Sequence, residues 1–217
     1  MIKIELHGTY NIYFAIKGMR NPMNSWHLID SSEPDQAGNC KIGEKDLNLA
    51  RRLTLAGNEH GKFLRFITVC LDLSAPLYWW KEFDTYKFTE KNSTSTMHKL
   101  TSRDLAPHDF SFDTMTDYRN AQIRHLNDLI KAYKSREGDN EEDNAYRKAV
   151  FRELVQDLPS AYMQKRTVIT NYAELRNIYF QRRHHKLDEW RDFCDWMKKE
   201  LPYAEELICV EKDEAKS

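Results

Sequence analysis

Between Thr116 and Glu200 the chain returns four times to one pattern, apolar side chains three and four residues apart, and this limits what it can fold into more than any other feature. Ile123, Leu126, Ile130 and Tyr133 follow the pattern up to Tyr133, and Tyr146, Val150 and Leu154 follow it from Asn144 to Leu158-Pro159. Such spacing lines one face of an α-helix. The polar run from Arg136 to Asn144 is the connector that makes the pair a helical hairpin. Two further helices are expected, from about Thr167 to Arg183 with Tyr172, Leu175 and Tyr179 inward, and from Leu187 to Glu200 with Trp190, Phe193, Cys194 and Met197 inward. Pro202 ends the last one.

The first third reads differently. Met1 to Leu6 alternates apolar and polar residues, as a strand does, and Phe63 to Leu73, rich in Phe, Ile, Val and Leu between Gly61 and Pro76, reads as a largely buried strand. One helix is expected from Gly43 to Ala56, carrying Leu47, Ala50 and Leu53, with Gly57 placed to end it in a left-handed conformation. Another is expected from Pro76 to about Lys87, where Trp79, Phe83 and Tyr86 share a face and Pro76 sits at the first turn. Strands early and helices afterwards define an α+β protein rather than alternating βαβ units, and neither GxGxxG nor GxxxxGK[ST] occurs. At 217 residues a single domain spanning 1–217 is expected.

Composition removes several classes of function. With 41% hydrophobic and 31% charged residues and a net charge of -1, the chain is neither a disordered tail nor an evident nucleic-acid binder. No apolar run reaches membrane-spanning length. Cys40, Cys70, Cys194 and Cys209 are widely separated and make no CxxC pair, so neither a disulfide framework nor a zinc site is expected, and a reducing cytoplasm fits. His184 and His185 are adjacent and lack the i, i+4 spacing of a helical metal pair, so no metal is expected. No GxSxG or cysteine motif offers a nucleophile.

Two segments crowd polar donors. The first runs from Lys81 to Lys87 and on through Lys91-Asn92-Ser93-Thr94-Ser95-Thr96-Met97-His98-Lys99, whose Asn, Ser and Thr side chains beside lysines suit a phosphate and the edge of a base, or equally an ordinary surface turn. The second runs from Leu158-Pro159 through Arg166 to a helix bearing Asn171, Asn177 and Arg182. Asparagine inside a helix lowers its propensity, so two within seven residues point either to a polar ring system or to solvent. The basic run Arg182-Arg183-His184-His185-Lys186 also suits a helix C-terminus electrostatically.

Together these segments resemble the flavin-dependent thymidylate synthases: Ala-Pro after a buried strand, an aromatic helix, a polar Asn/Ser stretch, then Leu-Pro and an Asn-bearing helix. The likeness runs from about Leu53 to Pro202. The family's Arg-His-Arg followed by Asn-Glu-x-Ser-x-Arg corresponds here to Thr85-Tyr86-Lys87 and Asn92-Ser93-Thr94-Ser95-Thr96-Met97, and its later Asn, Asn and Arg fall on Asn171, Asn177 and Arg182. An arginine of that family motif is Ala173 here, with Arg176 or Arg166 as substitutes. The resemblance implies a short mixed or antiparallel sheet with helices, a homotetramer, FAD as cofactor, NADPH and methylenetetrahydrofolate as co-substrates, and reductive methylation of dUMP to dTMP. It places Tyr86, Lys87, Asn171 and Asn177 at the flavin, Glu82, Asn92, Ser93, Ser95, Arg166 and Arg182 at the nucleotide, and Arg182 and Ser95 at the reaction itself. Removing Arg182 is then expected to weaken dUMP binding with folding nearly intact.

Three functions follow from these residues. One is an active enzyme whose Lys87, Lys91, Arg166 and Arg182 replace lost arginines. Another is a protein of the same fold that has lost catalysis, since a lysine cannot reproduce a bidentate guanidinium and Thr85 and Met97 remove two cations. The third, single-stranded nucleic-acid binding, needs Trp79 and Trp80 exposed, whereas their spacing predicts core.

Overall fold

A computed structural model describes residues 2–36 and 38–212. Its elements in chain order are β1 (Lys3–Tyr10), α1 (Ile12–Met19), α2 (Glu44–Leu55), β2 (Thr68–Pro76), α3 (Leu77–Phe83), β3 (Glu90–Ser93), α4 (Thr96–Lys99), α5 (Asp117–Lys134), α6 (Glu141–Asp157), β4 (Met163–Asn171), α7 (Tyr172–Arg182), α8 (Asp188–Glu200) and α9 (Ala204–Leu207), with a 3-10 helix at Gly61–Phe66. The four strands form one sheet in the order β1-β2-β4-β3. The Tyr172 N–H donates to the Ile67 carbonyl and the Leu77 N–H to the Tyr162 carbonyl, so β2 and β4 run antiparallel. The α+β class read from the sequence is the class observed.

Contacts divide the chain into two compact units, one of residues 1–73, 86–92 and 167–217, the other of residues 74–85 and 93–166. In the first unit, the face of α2 that is buried carries Asp46, Ala50 and Thr54. Asp46 is buried against the equally buried Arg20, whose Nε donates to its Oδ1 at 2.7 Å, while its Oδ2 accepts from the Ser31 hydroxyl at 2.6 Å and the N–H groups of Asp30 and Ser31. An ion pair can sit in a core when its remaining lone pairs are met in this way. Gly57 follows α2 with φ of +113°, a region where a Cβ brings strain, as its expected role required.

In the second unit, α5 and α6 form the expected hairpin, with Ile123, Leu126, Ile130 and Leu154 buried in one apolar cluster with Leu100, Leu105 and Phe110. Thr116 and Asn140 cap the two helices by accepting from the backbone N–H three residues on. Trp79, Trp80 and Phe83 are buried together, Trp79 stacked on Phe83 with ring centres 4.9 Å apart and Trp80 edge-on to both. The buried tryptophans leave no aromatic platform there for single-stranded nucleic acid.

Three boundaries differ from the sequence expectation, the first being that α3 ends at Phe83 and not near Lys87, which leaves Tyr86 outside the helix. Residues 167–171 are strand, not helix: β4 alternates buried Gln164, Val168 and Thr170 with outward residues, and Thr167 to Thr170 are β-branched throughout. Strand therefore recurs after the first third, and α7 begins only at Tyr172. Likewise the segment expected as one strand from Phe63 opens as the Gly61–Phe66 3-10 helix, with β2 starting at Thr68. Among the described residues, no helix is long and apolar enough to cross a membrane.

Candidate active site

In the first unit, α7 lies along a cleft of about 500 Å3 whose other wall is the end of α2 and the Gly61–Phe66 turn. The placement follows from local sequence. Asn171 is the N-cap of α7, its side chain accepting from the Glu174 N–H at 3.0 Å, and is not the helix-interior asparagine the sequence suggested. That cap fixes the first turn, which turns Asn171, Glu174 and Asn177 toward the cleft. Opposite them stand Asn58 and Arg65, and Phe88 at the rim is 72% exposed.

Arg176 also lines the cleft, next to Ala173. Its Nη1 donates to the carbonyls of Ile208 and Val210, each at 2.7 Å, and its guanidinium lies 4.6 Å from the Phe180 ring centre. The C-terminal segment thus fixes a cation on the cleft wall that also carries Ala173.

A continuous hydrogen-bond chain ends in this cleft. Arg182 Nε donates to the Tyr86 hydroxyl oxygen at 2.8 Å, the Tyr86 hydroxyl donates to Gln181 Oε1 at 3.0 Å, and Gln181 Nε2 donates to Asn177 Oδ1 at 2.8 Å. Asn177, with its oxygen engaged, stands one helical turn from Glu174 on α7, and both line the cleft. Burial pushes the Glu174 carboxyl up, against the opposing pull of the nearby Asn177 amide and the Lys91 charge. Burial also raises the Tyr86 phenol, only partly offset by Arg182, so this hydroxyl is a neutral donor at physiological pH.

The structure therefore brings together Asn171 and Asn177 in the cleft and ties Tyr86 and Arg182 to it through the chain. Tyr86 is buried with its ring edge-on to Trp190, and the Arg182 guanidinium lies 4.7 Å from the Trp190 ring centre. Neither is among the residues lining the cleft. Lys87 is exposed between α3 and β3, and Asn92 is exposed on β3.

The remaining sequence-derived residues lie in the second unit. Glu82 is in α3, its carbonyl accepting from the Thr85 hydroxyl at 2.7 Å. Ser93 ends β3, and Ser95 caps α4, its hydroxyl 2.7 Å from His98 Nδ1. Arg166 packs over Trp80 at 4.2 Å from the ring centre and pairs with Asp84 at 2.9 Å and with Gln164.

Asn58, Arg65, Phe88, Glu174 and Phe180 were not singled out from sequence. Only Glu174 carried a signal, since Asn-x-x-Glu before an apolar helical run marks a helix start. Among the described residues, His125, Glu153 and Asp157 are the one group with metal-ligand atoms close together, all exposed on the α5–α6 hairpin and distant in sequence from His184 and His185. The four cysteines are free.

The sequence matches no family model and no curated protein. Its structure is similar to solved ones. Two structures of thymidylate synthase X from Helicobacter pylori with FAD and dUMP superpose with TM-scores of 0.71 and 0.70 at 14% identity, covering 96% and 97% of this chain and 97% and 100% of theirs. A UMP/dUMP methylase PolB from Streptomyces cacaoi bound with 5-Br dUMP gives a TM-score of 0.57 at 14% identity, over 91% of this chain and 88% of that one. The chain has the fold of the flavin-dependent thymidylate synthases, as its sequence resemblance implied. Within that fold it carries its own set of polar residues.

Proposed function

We propose that this protein binds FAD and dUMP and methylates the nucleotide at the expense of a folate one-carbon unit, with NADPH as reductant, as a cytoplasmic homotetramer. The observation that carries the reading is the cleft along α7, on a fold whose solved examples hold FAD and dUMP. Its residues fit a flavin ring. Asn58, Asn171 and Asn177 offer amide donors and acceptors, Arg65 and Arg176 supply positive charge, and exposed Phe88 with Phe180 offers aromatic surface. When bound, a reduced flavin supplies a hydride.

In this reading the chain's residues bind, orient and exclude water rather than attack. Asn171 and Asn177 hold the flavin, Tyr86 and Lys87 flank it, Glu82, Asn92, Ser93, Ser95, Arg166 and Arg182 serve the nucleotide, and Arg182 and Ser95 stand nearest the reaction. The absence of a nucleophile motif accords with a reaction that needs none.

A second reading is favoured by Ala173, which lines the cleft in place of an arginine, and by the engagement of Arg182 with Tyr86 and Trp190. It is a binding protein of this fold without catalysis. Tritium release from dUMP labelled at C5, in the presence of FAD, methylenetetrahydrofolate and NADPH, separates the two. Release above a no-enzyme control supports the enzyme; FAD binding without release supports the binding protein.

A further inference from the structure

Resting on the flavin reading of the cleft, we infer that Glu174 recognises the N3–H of the flavin ring, a hydrogen-bond acceptor built specifically for the imide edge. Glu174 is 7% exposed yet lines the cleft, an unusual position for a carboxylate. A carboxylate in such a place is stable only when its oxygens are hydrogen-bonded. An ionised carboxylate has about four acceptor sites. Lining the cleft, the group keeps acceptor capacity for a ligand there.

The chemistry of the opposite partner follows. An imide presents acceptor, donor, acceptor along one edge. Its central N–H needs an acceptor that is fixed in place, and its two carbonyls need donors beside that acceptor. Glu174 supplies the first, and the amides of Asn171 and Asn58 on the same cleft supply donors. The chain Arg182, Tyr86, Gln181, Asn177 fixes the geometry beside it: each donates to the next, so the Asn177 amide has one orientation, one helical turn from Glu174 on the same cleft wall. Glu174 is a flavin-binding residue that sets specificity.

The test is FAD against its N3-methyl analogue, each titrated into the full-length protein and followed by flavin fluorescence. The N3-methyl group removes the donor and leaves the rest of the molecule unchanged. Wild type is expected to prefer FAD by at least about tenfold, the worth of one hydrogen bond to a charged group. Glu174→Ala is expected to bring the preference below about threefold, within the spread of a neutral contact. Glu174→Gln, which keeps the shape, is expected to do the same, because a neutral amide replaces the charged acceptor and offers an NH2, itself a donor, beside the N3–H. Equal binding of both flavins by wild type overturns the inference and leaves the flavin reading standing. A preference that survives in both variants assigns the N3–H to another acceptor and overturns it as well. If FAD itself does not bind, the flavin reading falls and takes this inference with it.

Discussion

Arg182 Nε donates to the Tyr86 hydroxyl oxygen at 2.8 Å, and the same guanidinium covers the ring of Trp190. An arginine read from the sequence as a ligand-binding cation thus also closes a packing contact between α7, α8 and the segment after α3. Arg182→Ala is therefore expected to cost about 1–2 kcal/mol of stability from the lost cation–π and hydrogen-bond contacts. Thermal or urea unfolding checks this. An unchanged midpoint would return Arg182 to a purely ligand-facing role.

Asp46 is a buried carboxylate of the first unit, held by Arg20, Ser31 and two backbone N–H groups. Asp46→Ala leaves the Arg20 guanidinium buried without its counter-charge, which is expected to destabilise by about 3–5 kcal/mol. Replacing both together, with Arg20→Met and Asp46→Leu, is expected to recover most of that loss. A double variant as unstable as the single one would show that the backbone bonds to Asp46, not the ion pair, dominate.

Asp109 predicts a pH dependence. Burial acts to raise its pKa, but the Arg103 hydrogen bonds and the Ala106 N–H together outweigh burial and hold it below the ordinary carboxylate value. A carboxylate with a depressed folded-state pKa contributes stability above its unfolded pKa, near 3.9, and loses it as pH falls through the lower folded value. Asp109→Asn is expected to flatten the stability profile below about pH 4, with urea midpoints measured from pH 6 down to 2. A profile as steep as wild type would assign that dependence to other carboxylates.

Cys194 is buried in α8, and burial first, then the neighbouring Asp195 and Cys209 charges, push its thiol up to about 12. A thiol so little ionised is a poor nucleophile. Iodoacetamide at pH 8 followed by peptide mass spectrometry is expected to leave Cys194 unmodified in the native protein and to label it after unfolding. Labelling at equal rates would mean that α8 opens readily.

Much of the fold was legible because burial demands periodicity. Ile123, Leu126 and Ile130 on α5, and Trp190, Phe193, Cys194 and Met197 on α8, repeat at helical spacing and are buried as that spacing requires. β4 was masked: Tyr172, Leu175 and Tyr179 carry a helical spacing that reads smoothly back through Thr167, although four consecutive β-branched residues there favour strand. Of the cleft, Asn177 drew notice as an asparagine inside a helix, and Asn171 drew notice for the same reason although it caps that helix instead. Asn58, Arg65 and Phe88 drew none, since each sits in a turn or connection whose local sequence resembles any surface loop, and only tertiary packing brings them beside α7. The engagement of Arg182 with Trp190 depends on the packing of two helices and leaves no local trace in sequence.

The central claim is that the cleft along α7 holds a flavin, and its most direct measurement is equilibrium titration of the purified protein with FAD, followed by quenching of flavin fluorescence and by the unfolding midpoint. Saturable binding, a rise in midpoint with FAD concentration, and a loss of at least about tenfold in affinity in Asn177→Ala, which removes an amide from the cleft wall, are the predicted results. A protein that leaves flavin fluorescence and its own midpoint unchanged at saturating FAD, or an Asn177→Ala variant that binds FAD as wild type does, would contradict it.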